Sequence, residues 1–424
     1  MNREEFLNRF SPGTHPTMCP LLFNHFSTET KGQIKFCCEA KYNPDIEKVD
    51  GKSTKIIEIF NNSYYNESRK RMINGEKLSE CESCWIKEKQ GLVSKRLEEW
   101  NVFQQNYDTS LPEDFSNWEK FDTKLVPSYY NLQVAKTCNY ACIMCSTDWS
   151  SLITSIGQKM GEEKKTMLLN QRWWSNNPGE EQLDKSETFW EGLKDIANKL
   201  EHLYVTGGEP FIIKPLWNFI TFLVEQGYSS NIVFWCNTNT SQFSEYQLNL
   251  LKSFKSVELN LSIDAYGELN EYLRTSSDWN NIEKNVNLAV KHVDDNFQLT
   301  LVPVVSGLNV RYLDNLIYWW KKTLGDKRCV IKPIILTWPR SMSINVLPKK
   351  YIMKSKQSLI NVINDCNLDY KSDFQNVFDL LDNHDFSTRA NNKLKEEFLY
   401  FQEAVNKDYL KQFSYLFEQD DIPL

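Results

Sequence analysis

Cys138-Asn139-Tyr140-Ala141-Cys142-Ile143-Met144-Cys145 is the stretch whose reading decides the fold. It places three cysteines at C-x3-C-x2-C, directly after the alternating run Tyr129-Tyr130-Asn131-Leu132-Gln133-Val134. That run reads as a strand handing the chain into a cysteine loop. Thiolates are soft ligands, and closely spaced sets of them select iron–sulfur clusters or zinc. A four-iron cluster takes one ligand per iron, usually four cysteines. The loop supplies three, and no fourth cysteine lies nearby. One iron would then be open to a non-protein ligand, as a catalytic zinc keeps an open position. A three-cysteine zinc site with a distant fourth ligand is the alternative.

Downstream, His202-Leu203-Tyr204-Val205-Thr206 is a short apolar strand ending in Gly207-Gly208-Glu209-Pro210. Two glycines let a backbone approach a ligand closely. Glu209 sets beside them a carboxylate able to accept hydrogen bonds from an ammonium group. The pattern then repeats. Helix 215–226 stops at Gly227 and precedes strand 232–236; helix 243–253 precedes strand 257–263. Helix 281–292 precedes strand 298–305, and helix 315–323 precedes strand 330–336. Alternation at this spacing argues a parallel sheet of βαβ units. Ser262 and Asp264 lie at one strand end, Arg274 ten residues past Asp264. A fork-shaped guanidinium suits a carboxylate. A helix cap for Asp264 and a surface ion pair for Arg274 are the plainer readings.

The N-terminal hundred residues hold five cysteines. Cys19, Gly32 and Cys37 read C-x12-G-x4-C, Cys38 is adjacent, and Cys81 and Cys84 form C-x2-C. Four thiolates in two pairs can complete a closed site, with Gly32 suited to the turn of a hairpin. A zinc ribbon is the alternative. Residues 56–74 have helical spacing with Gly75 as a stop. Residues 101–125 read as a linker, 148–168 as a helix and 172–185 as an insertion. From Pro348 onward the chain is polar and helical. Cys236 and Cys329 sit in strand-like runs and read as core thiols.

The bulk numbers agree with a globular chain. Of 424 residues, 41% are hydrophobic and 25% charged, which implies two or three domains. A net charge of -7 leaves no broad footprint for nucleic acid. No apolar run is long enough to span a bilayer, and the start of the chain lacks the apolar core of a signal peptide. The expected compartment is the cytoplasm, where cysteines serve metals more than disulfides.

The cysteine loop, followed about 60 residues later by Gly207-Gly208-Glu209-Pro210, resembles the radical S-adenosylmethionine (radical SAM) enzymes. The N-terminal cysteines resemble their twitch or SPASM-type auxiliary-cluster module, transposed ahead of the barrel. Met144 stands where the family usually has an aromatic. The resemblance implies an α/β fold: a partial (β/α)6 TIM-like barrel over 125–345, a cysteine-rich module over 1–110 and a helical region over 346–424. It implies a [4Fe-4S] cluster on Cys138, Cys142 and Cys145, whose open iron chelates SAM. A second auxiliary cluster would sit on Cys19, Cys37, Cys81 and Cys84. Gly207, Gly208, Glu209 and Pro210 would hold the SAM amino group, Ser262 and Asp264 its ribose, and Arg274 its carboxylate. The implied activity is reductive cleavage of SAM to a 5′-deoxyadenosyl radical that abstracts hydrogen from a substrate. A peptide or protein leads, ahead of a small molecule. An external one-electron donor, a flavodoxin or ferredoxin, is implied. The resemblance names no catalytic side chain. An RNA-modifying radical SAM enzyme and a non-catalytic zinc or iron–sulfur scaffold are the alternatives.

Overall fold

The computed structural model describes residues 3–30, 32–41, 54–106, 124–159, 183–368 and 374–418. Its strands are β1 (His25–Thr28), β2 (Ile34–Lys35), β3 (Tyr129–Gln133), β4 (Ala141–Cys142), β5 (His202–Thr206) and β6 (Val233–Thr238). Then come β7 (Ser256–Leu261), β8 (Arg274–Thr275), β9 (Phe297–Leu301), β10 (Val304–Val305), β11 (Val330–Ile331) and β12 (Ile334–Ile335). The chain packs as two compact units. One comprises Met1–Ala135, Glu180–Gly207 and Lys214–Phe234; the other comprises Lys136–Gly179, Gly208–Ile213 and Trp235–Leu424.

In the first unit the strand order is β5-β3-β1-β2. β3 runs parallel to both neighbours, pairing Tyr129 with His25 and with His202. Its first four residues are all buried. A strand covered on both faces needs no clean alternation, and both Tyr130 and Leu132 are fully enclosed. β1 and β2 form an antiparallel hairpin. Gly32 takes φ 89° at its turn, a left-handed backbone open to glycine. The helical spacing over 56–74 resolves into two helices, Ile56–Phe60 and Ser63–Ile73. Asn62 makes the break, because its side chain caps the second helix by accepting from the Tyr65 N–H at 2.9 Å. Gly75, at φ 83°, ends it.

In the second unit the order is β11-β9-β7-β6. β7 and β9 are parallel over five residue pairs, and β9 and β11 are parallel too. Helices Glu245–Leu251, Trp279–Val290 and Leu313–Leu324 alternate with these strands. The first carries a full capping box between Ser244 and Gln247. The fold is therefore α/β with parallel strands, consistent with a partial TIM-like barrel. Helices Lys349–Asp365, Gln375–Asp382, Thr388–Val405 and Tyr409–Gln412 follow.

Several boundaries differ from the sequence reading. Strand 298–305 divides into β9 and β10, and strand 330–336 into β11 and β12. Pro303 and Pro333 sit at the two breaks, where a missing N–H interrupts a ladder. The segment read as a linker begins as helix, since Lys95–Asn106 is continuous. Helix 148–168 is described over Ser151–Lys159, and its remainder lies outside the described residues. The insertion 172–185 lies outside them except for the turn Leu183–Lys185. Cys236 is buried as expected, whereas Cys329 is half-buried. Among the described residues, no helix is long and apolar enough to cross a membrane.

Candidate functional site

The start of the cysteine loop is pinned from two sides. Before it, Gly208 lies against the backbone: a Cβ there would meet the Thr137 carbonyl oxygen at 2.1 Å, so only glycine fits. The Glu209 N–H donates to that same carbonyl at 2.7 Å. The close approach foreseen for a ligand is thus made to the chain's own backbone. Gly207 takes φ 94°. After the loop, the Ser151 hydroxyl accepts from the Cys138 N–H and donates to its carbonyl, both at 3.1 Å. In the middle, β4 pairs antiparallel with β8, setting Cys142 opposite Arg274.

Three N–H groups are aimed at the sulfurs. The Tyr140 N–H lies 3.5 Å from Cys138 Sγ. Asn239 Nδ2 lies 3.8 Å from the same sulfur, and Arg274 Nη1 lies 3.8 Å from Cys142 Sγ. Burial pushes both thiols up, and the Arg274 charge pulls both down. Such donors suit thiolates, the form that binds metal.

Glu209 is fully buried behind this loop. Its carboxylate accepts from Phe211 N at 3.0 Å, Thr238 Oγ1 at 2.8 Å and Asn239 N at 2.6 Å. A carboxylate offers about four lone-pair positions, so the chain itself fills most of them. Burial pushes the carboxyl up to about 7, against the downward pull of those three donors and of Arg274.

Sequence reasoning set Asp264 toward a ribose and Arg274 toward a carboxylate. In the structure they face each other. Arg274 Nη2 donates to Asp264 Oδ1 at 2.9 Å, and Nε lies 2.8 Å from Oδ2. The second arm is Coulombic, because its angle is too poor for a hydrogen bond. Asp264 Oδ1 also accepts from Val304 N at 2.9 Å. The Asp264 side chain is wholly buried and that of Arg274 is 10% exposed. The aspartate thus holds the guanidinium against Cys142. Ser262 is half-buried, and its N–H donates to the Thr238 carbonyl at 2.8 Å.

Asn239 was not singled out from the sequence. Its signal was the polar run Asn237-Thr238-Asn239-Thr240-Ser241 at the end of an alternating strand, where parallel α/β folds place chemistry. Asn270 and Asn309 were also missed. Asn270 Oδ1 accepts from Asp264 N at 3.0 Å, and Asn309 Nδ2 donates to the Asp264 carbonyl at 2.8 Å.

The Cys138 and Cys142 thiols, two side-chain donors and a buried carboxylate therefore meet at one set of strand ends, with Cys145 near enough to act on Cys142. Residues 132–318 match the family model of the Radical SAM superfamily. The match covers less than half of the chain, and it spans Cys138, Cys142, Cys145, Glu209, Asp264 and Arg274. No curated protein matches the chain. Among solved structures, the chain is similar to native anSMEcpe with bound AdoMet. Identity is 16% and the TM-score 0.38, over 60% of this chain and 62% of that one. It is also similar to Streptococcus suis SuiB bound to precursor peptide SuiA, at 12% identity and TM-score 0.36, over 69% and 62%. The radical SAM methyltransferase TsrM from Kitasatospora setae, with cobalamin and a [4Fe-4S] cluster bound, is similar at 14% identity and TM-score 0.30. There the match covers 47% of this chain and 32% of that one. The chain spans less than two thirds of the length of each of these three structures.

The first unit carries the other cysteines. Cys19, Cys37 and Cys84 are buried, Cys81 is half-buried and Cys38 is exposed. Burial pushes the Cys19, Cys37 and Cys81 thiols up, and their mutual repulsion, shared with Cys84, pushes them further. Cys38 instead feels Lys95, Glu39, Lys35 and Glu99. Cys38 nonetheless adds to the upward push on Cys37, and it differs from the other four in its exposure. Arg96 is the counter-charge at Cys19 and Cys81. It pairs with Glu88 through two arms, at 3.0 and 2.6 Å, and donates to the Met18 carbonyl at 2.9 Å. Among the described residues, no three His, Cys, Asp or Glu side chains converge on a single-ion site. The fit of both sets to a cluster rests on donor chemistry: soft sulfurs, with N–H or guanidinium groups facing them.

Proposed function

We propose that this chain is a radical SAM enzyme acting on a peptide or protein. Cys138, Cys142 and Cys145 would hold the cluster. The chemistry that cluster supplies when bound is one-electron reductive cleavage of SAM, the source of a hydrogen-abstracting radical. The observation that carries the reading is the convergence of Asn239 and Arg274 on Cys138 and Cys142, in front of buried Glu209. Glu209 orders the Asn239 backbone and leaves about one lone-pair position for an ammonium group. Asp264 fixes the guanidinium, and Ser262 is the candidate for a ribose hydroxyl. Cys19, Cys37, Cys81 and Cys84 would hold an auxiliary cluster. A flavodoxin or ferredoxin would supply the electron, in the cytoplasm.

A polar face on the second unit's strands supports an amide-rich substrate. Asn260 Nδ2 on β7 donates to Asn237 Oδ1 on β6 at 2.9 Å. Thr300 Oγ1 on β9 donates to Glu258 Oε1 on β7 at 2.9 Å, and Gln298 Nε2 donates to Thr300 Oγ1 at 3.0 Å. Lys332 lies 2.6 Å from Glu258. Closed barrels usually fill that face with branched apolar residues. Amides and an ion pair there offer donors and acceptors to a peptide backbone. The test is anaerobic incubation of the reconstituted protein with SAM, dithionite and candidate peptides, followed by intact mass. Reductant-dependent 5′-deoxyadenosine and a peptide mass change are expected. No 5′-deoxyadenosine under any condition would sink the enzyme reading. 5′-Deoxyadenosine with modified RNA and unmodified peptides would move the substrate to nucleic acid.

A further inference from the structure

The turn after β6 holds a residue in a backbone its side chain disfavours. Thr240 has φ 60° and is fully buried. For a β-branched residue that is a genuine outlier, and it persists only where the surroundings over-determine it. They do so here. Thr240 N donates to Thr238 Oγ1 at 3.1 Å, and Thr240 Oγ1 donates to the Asn239 carbonyl at 2.6 Å. Two asparagines of the Trp279–Val290 helix, one turn apart, clamp the next carbonyls. Asn285 Nδ2 donates to Thr240 O at 2.8 Å and Asn281 Nδ2 to Ser241 O at 2.7 Å. Glu209 Oε2 accepts the Asn239 N–H from the other side.

The strained turn aims one side chain. Asn239 Oδ1 accepts from Ser241 N at 2.9 Å, which fixes which end of the amide is oxygen. Nδ2 is left facing Asn139 Oδ1 at 3.0 Å and Cys138 Sγ at 3.8 Å. The Ser241 hydroxyl reaches the same Asn139 oxygen at 3.2 Å.

We propose that Asn239 is a positioning residue for the Cys138 thiolate, held on it by the strained Thr240 turn, and that its N–H raises the reduction potential of the cluster bound there. The proposal rests on the cluster assignment made above for Cys138, Cys142 and Cys145. Hydrogen bonds to ligand sulfurs are among the levers that set cluster potentials. An N–H favours the reduced state, whose extra electron puts more negative charge on sulfur. Asn239 does this as a neutral donor, whereas Arg274 at Cys142 brings a full charge.

The experiment is a redox titration followed by electron paramagnetic resonance on the full reconstituted chain. It reads the component whose spectrum SAM perturbs, with unfolding of the metal-free protein measured alongside. Asn239→Ala is expected to lower the reduced-to-oxidised ratio at fixed ambient potential two- to tenfold. That is about 18 to 59 mV downward for one electron. Thr240→Gly keeps the Asn239 side chain and removes the strain. It is expected to leave the melting temperature of the metal-free protein unchanged or higher, and to shift the potential the same way by less. A wild-type potential in an iron-loaded Asn239→Ala protein overturns the N–H contribution. If Asn239→Ala loses its iron, Thr240→Gly decides: a wild-type potential there overturns the role of the turn. A wild-type protein with no SAM-perturbed signal overturns the cluster assignment, and the proposal with it.

Discussion

Asp264→Ala tests the site before any cofactor is added. The change removes the carboxylate facing Arg274 Nη2 and Nε at 2.9 and 2.8 Å and orphans the Val304 N–H. Removing one member of a buried pair leaves an uncompensated charge, at a cost of about 3–5 kcal/mol. Asp264→Asn keeps an acceptor for Val304 N and for one guanidinium arm but loses the charge, so it costs about 1.5–3 kcal/mol. For a unit of more than 150 residues, each kcal/mol moves the melting temperature by roughly 2–4 °C. The metal-free Ala variant should therefore melt roughly 6–20 °C lower and the Asn variant roughly 3–12 °C lower. Replacing the pair together, Asp264→Ala with Arg274→Met, should recover much of the loss, because no buried charge remains. The assay is thermal unfolding by circular dichroism on anaerobic, iron-free protein. An Ala variant that melts within 1 °C or so of wild type would refute the buried pair. A large loss of SAM affinity alongside that result would return Asp264 to direct ribose contact.

Glu209→Gln should destabilise the metal-free protein by about 1–3 kcal/mol, since its carboxamide turns an N–H group toward donors at Phe211, Thr238 and Asn239; unfolding reads this, and an unchanged midpoint contradicts it. Cys38→Ala should keep full iron whereas Cys37→Ala should lose part of it, by iron analysis after reconstitution; the reverse would move the ligand to Cys38. The first unit should lose stability in acid through His25, whose buried ring donates from Nδ1 to the Phe36 carbonyl at 2.7 Å. Burial, the largest cause, lowers its pKa from 6.5 to about 3. The unfolded chain therefore takes up a proton that the folded one refuses. This contribution is whole above pH 6.5 and falls by about 1.4 kcal/mol per pH unit toward pH 3. His25→Leu should flatten that part of the pH profile in iron-free protein, and an unaltered slope would exclude His25 as its source.

Much of the second unit was legible because its signals are local. The alternation of Ser256–Leu261 and the spacing of the intervening helices follow from period alone. What escaped depended on partners far along the chain. β1 lies among apolar residues with no alternation to mark it, and it is a strand because β3 pairs with it about a hundred residues later. The broken ends of β9 and β11 were written in Pro303 and Pro333, and outweighed in the reading by the apolar runs around them. At the site, residue types named positions but not who faces whom. Asp264 and Arg274 could each have met a ligand, and burial pairs them instead. Asn239 was hidden because one asparagine after a strand carries no distinguishing pattern. Only the fold shows it held at Cys138.

The central claim is that the Cys138, Cys142 and Cys145 loop holds a cluster with an iron open to SAM. The most direct measurement compares wild type with the Cys138→Ala, Cys142→Ala, Cys145→Ala triple variant after anaerobic reconstitution. It follows iron content, the reduced cluster's magnetic resonance spectrum with and without SAM, and 5′-deoxyadenosine formed with dithionite. The account predicts that SAM perturbs the wild-type spectrum and is cleaved. The triple variant should keep the iron of the N-terminal cysteines, show no SAM-dependent change and form no 5′-deoxyadenosine. A triple variant that still cleaves SAM would contradict it.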